Sequence, residues 1–443
     1  MPGAKSEISV TAETSGACVR TSTEEVLVAA GDSAAAGDSA AGSSEQDPGT
    51  APVAPAADAR APWWPGALLP VGIWIGSRAA LIGMVLLVGY LLGTPPAARI
   101  PGGDGWVLER FVWWDSFHFL RIADLGYLPP GLECCDQAFF PGYPLGIRMF
   151  TPLTGRSEWA SLLVTLVFGT VAAVLLWRIA IDRARAAGDP TPQRAGLVAV
   201  SFLAVAPYGI FLSAAYSEAM FLAFALGAWR MGLQRRWWWV GVMLAGATAV
   251  RINGVFLTAA LAVMYLGQLR SEQRWRPRPD VLALGAPALV IGAYFSYLFH
   301  RTGSWTAWQD AEAMGWHRQN AWLWRGIALS WDSLRTAPAP DVVVSRTADL
   351  LTVLAGLVLV VVLLVLRRWP DATYLGLNVG VVAFSTLYVS APRYALTCFP
   401  VYLLVTDLAQ RPRWRWLAPV LIVACLPLEV ALALAFSAHL WVA

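Results

Sequence analysis

The chain has 443 residues, 57% of them hydrophobic and only 14% charged. Soluble domains are about a quarter charged and roughly 45–50% apolar, so this composition excludes the ordinary soluble classes and points to a membrane. The formal net charge of +3 is too small for a polyanion-binding footprint, and no nucleic-acid partner is expected.

Residues 1 to about 65 are rich in Ala, Gly, Ser, Asp and Glu, with no aromatic residue before Trp63. Such a segment buries too little apolar surface to offset its chain entropy and reads as a disordered tail. It lacks the basic n-region and apolar core of a signal peptide. Its Lys5 is the single Lys among 32 basic residues, a bias that reads as GC-rich, bacterial coding. Cys18, Cys134, Cys135, Cys398 and Cys425 fit neither a zinc site nor a disulfide framework. The adjacent Cys134 and Cys135 are read as either free or oxidised.

From there the chain is a succession of apolar runs, each compared with the ~20 helical residues that a bilayer requires. Spans are expected near 69–93, 159–181, 195–214, 216–233, 237–250, 255–268, 281–299, 348–366, 373–390, 395–409 and 416–440, eleven in all. The pair 237–250 and 255–268 is short enough for a helical hairpin that does not fully cross. Arg residues crowd alternate loops: Arg178, Arg183, Arg185 and Arg194; Arg230, Arg235 and Arg236; Arg270, Arg274, Arg276 and Arg278; Arg367 and Arg368; Arg411, Arg413 and Arg415. The positive-inside rule makes those loops and the tail cytoplasmic. Residues 94–158 and 301–347 then become long extracytoplasmic loops. Arg78 and Glu429 fall inside spans, where charge is expensive unless paired.

The first long loop reads, over 106–125, as one amphipathic interfacial helix with a broad aromatic face. Asp115 follows Trp113 and Trp114, and His118 is its helical neighbour three residues on. A carboxylate among Trp at a membrane surface is partly desolvated, which raises its pKa and makes it a better base. The competing reading is an Asp on the wet face of that helix. Pro141, Gly142 and Pro144 then fix a turn before the second span. In the second loop Trp305, Trp308, Trp316, Trp322, Trp324 and Trp331 either stack sugars or anchor interfacial helices.

The run Trp114-Asp115, then Phe119-Leu120, Ile122-Ala123 and Gly126-Tyr127, followed by Ala138-Phe139-Phe140-Pro141-Gly142-Tyr143-Pro144-Leu145, resembles the PIG-V family of mannosyltransferases. Two more matches are Ser213-Ala214-Ala215-Tyr216-Ser217-Glu218 and Arg251-Ile252-Asn253-Gly254. The family commonly has a polar residue such as Gln where this chain has His118. The resemblance covers about 69–400 and implies an all-α, GT-C-like multi-spanning bundle occupying 66–443. It implies a catalytic Asp in the first loop, here Asp115, and mannose transfer from a lipid-phosphate-mannose donor to a glycolipid hydroxyl.

The Arg-derived topology independently gathers Asp115, Glu218, Arg251, His300, Arg301 and Arg393 near one face. Arg251 and Arg393 break the positive-inside pattern, and a guanidinium fork suits phosphate. Arg251, Asn253, Arg393, Glu218, Tyr216, Trp114 and Arg301 are therefore the expected substrate-binding set, around Asp115 as general base. Lipid-headgroup snorkelling is the competing reading for the two Arg, and helix capping for Ser217 and Glu218. No Asp-x-Asp motif or Gly-rich phosphate loop occurs, so a lipid donor is expected in place of a metal-held nucleotide sugar, with no metal or cofactor. The alternatives are a transporter or flippase of polyprenyl-linked saccharides, disfavoured by the absence of an internal repeat, and a non-catalytic scaffold subunit.

Overall fold

The computed structural model describes residues 66–93, 105–131, 134–273, 276–316 and 319–442. The expected tail, part of the first loop at 94–104, and Arg274 lie outside the described residues. Among the described residues there is no strand, only an isolated bridge between Asn320 and Ser385. In chain order the helices are α1 (Leu68–Leu91), α2 (Gly105–Leu108), α3 (Ser116–Leu125), α4 (Gly142–Thr154), α5 (Ser157–Ala186), α6 (Pro192–Ala204), α7 (Glu218–Leu233), α8 (Trp237–Val250) and α9 (Gly254–Ser271). They continue with α10 (Ala286–Thr302), α11 (Ala307–Trp316), α12 (Leu323–Arg335), α13 (Pro340–Val365), α14 (Trp369–Ala383), α15 (Ala391–Leu396), α16 (Pro400–Gln410) and α17 (Leu417–Ser437).

The chain is an all-α, multi-pass membrane protein. A helix stands at each of the eleven expected spans, but among the described residues only six helical stretches are long and apolar enough to cross a bilayer. The expected count of eleven is therefore not reproduced. The shorter five, α6, α7, α8, α14 and α16, run from 11 to 16 residues. The breaks have local causes. The span expected at 195–214 stops at Ala204, before Pro207, which has no N–H to continue a helix. The span expected at 373–390 stops at Ala383, and Ser390 turns the chain with φ 64°.

The break after α6 explains the intramembrane charges. It strands backbone carbonyls at membrane depth, where each needs a donor. Arg78 on α1 donates to Ala204 O, to Gly209 O at 3.0 Å and to Ser213 Oγ at 3.1 Å. Its charge is matched by Glu429 on α17 at 2.7 Å, and its guanidinium lies 4.8 Å from the Trp74 ring. The expected partners thus meet, and they close a gap in the helix ladder.

Ion pairs show how the bundle's ends are assembled. Asp407 near the end of α16 takes Arg183 of α5 at 2.7 Å and Arg368, just before α14, at 2.9 Å. Arg230 near the end of α7 lies 3.7 Å from Asp182 of α5. The Arg-rich loops after α5, α7 and α16 and before α14 therefore share one end. The first turn of α7, the last of α8 and the short α15 stand at the other.

The expected single helix over 106–125 is instead two, α2 and α3, separated by a bend at 109–115 in which Trp114 adopts φ 56°. Asp115 therefore sits at the N-cap of α3, not in mid-helix, and His118 turns away from it to Asp136, with Nδ1 2.7 Å from Oδ1. The buried Asp136 also accepts from Arg121 Nε at 2.8 Å and from Arg121 Nη2. Burial alone would raise this carboxyl, but the bonds and charges of Arg121 and His118 outweigh it and hold the group below the usual carboxylate range. Around this lock, Tyr127 OH donates to Phe139 O at 2.6 Å and Tyr294 OH of α10 donates to Gln137 O at 2.8 Å. Cys134 and Cys135 are joined in a disulfide.

Candidate active site

Two segments about a hundred residues apart are bonded side by side. Ser116 Oγ donates to Ala215 O at 3.0 Å, Ala215 N–H to Phe111 O at 2.9 Å, and Tyr216 OH to Trp113 O at 3.0 Å. These three bonds lay Asp115 beside the start of α7. A close approach brings in α8: a Cβ on Gly142 would lie 2.6 Å from the Ala249 carbonyl carbon and oxygen. Only a glycine lets α4 start against the end of α8. That contact sets Arg251, the next residue but one, against the same wall.

Four charged side chains then interlock. Glu218, 0% exposed in the first turn of α7, accepts through Oε1 from Arg251 Nη1 at 2.9 Å and from Arg393 Nε and Nη2 at 3.1 and 3.0 Å. Arg393, on α15, also donates through Nη1 to Asp115 Oδ2 at 2.8 Å. All three of its nitrogens are thus engaged by carboxylates. Its guanidinium carbon lies 4.7 Å from the rings of both Phe211 and Tyr216. Removing one partner from a buried pair of this kind typically costs ~3–5 kcal/mol. Asp115 is 23% exposed, the wettest member of the chain.

Arg251 differs from Arg393 in one respect. All its hydrogen bonds, to Glu218 and to Ser217 Oγ at 3.1 Å, run through Nη1, leaving Nε and Nη2 without a hydrogen-bond partner among the described residues. Ser217, expected to cap α7, occupies the cap position but spends its hydroxyl on Arg251 and makes no capping bond.

Asp115, Ser217, Arg251, Asn253 and Arg393 line an open cleft of roughly 760 Å³, part of it continuous with the outside. Its other walls are Phe119 and Phe139, then Trp308, Glu312 and Trp316 of α11, then Ser390 and Tyr394. Of the expected set, Asp115, Arg251, Asn253 and Arg393 reach the cleft directly, and Asn253 is braced by its amide nitrogen on Asn378 Oδ1 at 2.7 Å. Glu218 and Tyr216 stand buried behind it. Trp114 lies outside, its ring edge against Trp441. Arg301 is also outside, bonded to Tyr127 O at 3.0 Å, and His300 is exposed. Sequence reasoning missed Glu312 and did not separate Trp308 and Trp316 from the four other loop Trp. Their spacing of four residues on one helix was the available signal.

The family model for mannosyltransferases of the PIG-V type matches residues 104–274, a stretch that carries Asp115, Glu218 and Arg251. Over these residues the chain is similar to the PIG-V mannosyltransferases. The chain is 32% identical over 198 residues to mouse GPI alpha-1,6-mannosyltransferase 2, covering 42% of this chain and 39% of the mouse protein. The rat protein of the same name is 35% identical over 171 residues, covering 37% and 34%, and the human one 36% over 149, covering 32% and 29%. The matched stretch spans about two fifths of the length of these relatives or less. Arg393 and the α11 wall of the cleft lie beyond the matched residues.

Proposed function

We propose that this protein is a membrane mannosyltransferase. It transfers mannose from polyprenyl-phosphate-mannose to a hydroxyl of a glycolipid or other membrane-associated acceptor, on the extracytoplasmic face. The observation that carries this reading is one cleft wall holding both a partly exposed carboxylate and, in Arg251, two unengaged guanidinium donors. A single in-line displacement with inversion uses both. The acceptor oxygen bonds to the mannose anomeric carbon while Asp115 takes its proton. The anomeric carbon–oxygen bond breaks, and its electron pair leaves on the lipid phosphate. Arg251 Nε and Nη2 are placed to donate to that departing phosphate as its charge grows. Arg393 acts one step back by fixing the Asp115 carboxylate, and Glu218 aligns both guanidinium groups.

The test uses purified protein in vesicles, labelled polyprenyl-phosphate-mannose and a membrane lipid extract from the source cell. A new labelled lipid product is expected. Movement of intact donor between leaflets with no labelled product would refute the transferase reading and favour a flippase.

A further inference from the structure

On α11, Trp308, Glu312 and Trp316 are each four residues apart, so they share one face over roughly 12 Å of helix. All three line the cleft, and both indoles are half-buried. Both indoles are also held in place. Trp308 Nε1 donates to Ala138 O at 3.2 Å, and its ring stacks on Phe295 with centroids 6.2 Å apart. Trp316 sets its edge against Phe139 at 5.5 Å. The other loop Trp behave differently: Trp305, Trp322, Trp324 and Trp331 are more than half exposed and line no part of the cleft.

We propose that this α11 face is a pyranoside-binding subsite that receives the sugar ring of the acceptor. A pyranose offers apolar C–H faces and a rim of hydroxyl donors. Two fixed aromatic rings with a carboxylate between them match that surface, since the indoles cover C–H faces and the carboxylate accepts from hydroxyls. The inference rests on the transferase reading for its choice of acceptor over donor. The guanidinium pole is bonded directly to Asp115, whereas the α11 face is reached from Asp115 across the rings of Phe119 and Phe139, whose centroids lie 5.0 Å apart. With the donor phosphate taken at Arg251, in-line attack brings the acceptor from the far side of the reacting carbon, and the α11 face is the sugar-shaped wall of the same cleft. The acceptor is therefore a glycan headgroup, not a simple lipid alcohol or a protein hydroxyl.

Saturation-transfer NMR on the detergent-solubilised full chain tests this, with methyl α-D-mannopyranoside, methyl α-D-glucopyranoside and methyl α-D-glucosaminide as probes and mannitol as the acyclic control. At least one pyranoside is expected to show ring-proton saturation in the wild type, with none for mannitol. Trp316→Ala and Trp308→Ala should weaken that binding about tenfold, Glu312→Gln should weaken it to a similar degree, and Trp316→Phe should restore most of it. Arg251→Ala should leave it intact. No ring-proton saturation in the wild type, or saturation that survives both Trp→Ala changes, overturns the proposal. Transfer from the lipid donor is scored on the same preparations. Product formation with pyranoside binding indifferent to both Trp refutes the subsite and spares the transferase. Trp-dependent binding without any product refutes the transferase and leaves a sugar-binding site.

Discussion

Asp115→Asn separates chemistry from structure because the amide is isosteric and still offers Arg393 an oxygen. The native pair is 2.8 Å long with Asp115 23% exposed, and the amide keeps the hydrogen bond, so losing the charge should cost on the order of 1 kcal/mol, well under the ~3–5 kcal/mol of removing a partner outright. A general base typically contributes ~10²–10⁴-fold, and at about 1.4 kcal/mol per tenfold this adds roughly 2.8–5.6 kcal/mol to the barrier. The expected signature is thus a rate loss of at least a hundredfold with an almost unchanged unfolding temperature. The assay is labelled product per unit protein at saturating donor, beside thermal unfolding in detergent. Two carboxylates on the same loop serve as controls. Asp124 is exposed and accepts only from Ser157 Oγ at 2.9 Å, so Asp124→Asn should stay within about twofold of wild type. Asp136 is buried under Arg121 and His118, so Asp136→Asn should cost ~1.5–3 kcal/mol of stability. Asp115→Asn turning over within about threefold of wild type would refute the base assignment. A rate loss matched by the unfolding shift of Asp136→Asn would assign Asp115 to scaffolding.

Arg251→Ala removes two unengaged donors along with one ion pair, and should reduce kcat/KM for the lipid donor by roughly tenfold to a hundredfold. Normal donor saturation with normal turnover would make it a headgroup anchor. Because the Asp136 carboxyl is held below its ordinary range in the folded state, its contribution to stability is complete above that range and is lost as pH falls through it. The gap in unfolding temperature between wild type and Asp136→Asn should therefore stay constant from pH 8 to about 5 and shrink below about pH 4. Shrinkage already between pH 8 and 6 would refute that assignment. For orientation, Gln309 on α11 and Gln234 after α7 are both exposed, at opposite ends of the bundle. With the native cysteines replaced, Gln309→Cys should react with an impermeant maleimide in intact cells and Gln234→Cys should not. The reverse pattern would invert the proposed topology.

The gathering of Asp115, Glu218, Arg251 and Arg393 at one end was legible because each lies at or beside a helix terminus, and alternating Arg loops fix which termini share an end. Their pairing was not legible. It depends on Ser116, Ala215 and Tyr216 bonding across about a hundred residues and on the backbone approach at Gly142, neither of which leaves a periodic trace in sequence. Local rules also competed with the fold. Ser217 reads as a helix cap by position, yet Arg251 claims its hydroxyl. Residues 106–125 read as one amphipathic helix, yet the loop bends at Trp114 to carry Asp115 toward Arg393. Apolar runs that continue across a backbone break read as longer spans than the helices that form there. Hydropathy cannot register that Arg78 satisfies the carbonyls such a break exposes.

The carboxylates of Asp115 and Glu218 balance the guanidinium groups of Arg251 and Arg393, so this set of four side chains carries no net charge while empty. Such a neutral set casts little field beyond the ~8 Å over which physiological salt already screens charge. Ambient phosphate therefore gains little by approaching, and the proposed lipid-borne phosphate would have to be delivered by its tether and recognised by fit. The same neutrality favours turnover. Under the proposed function, a departing lipid phosphate would gain negative charge as its sugar leaves, meet no surplus of cations among these four side chains, and drift off along the bilayer.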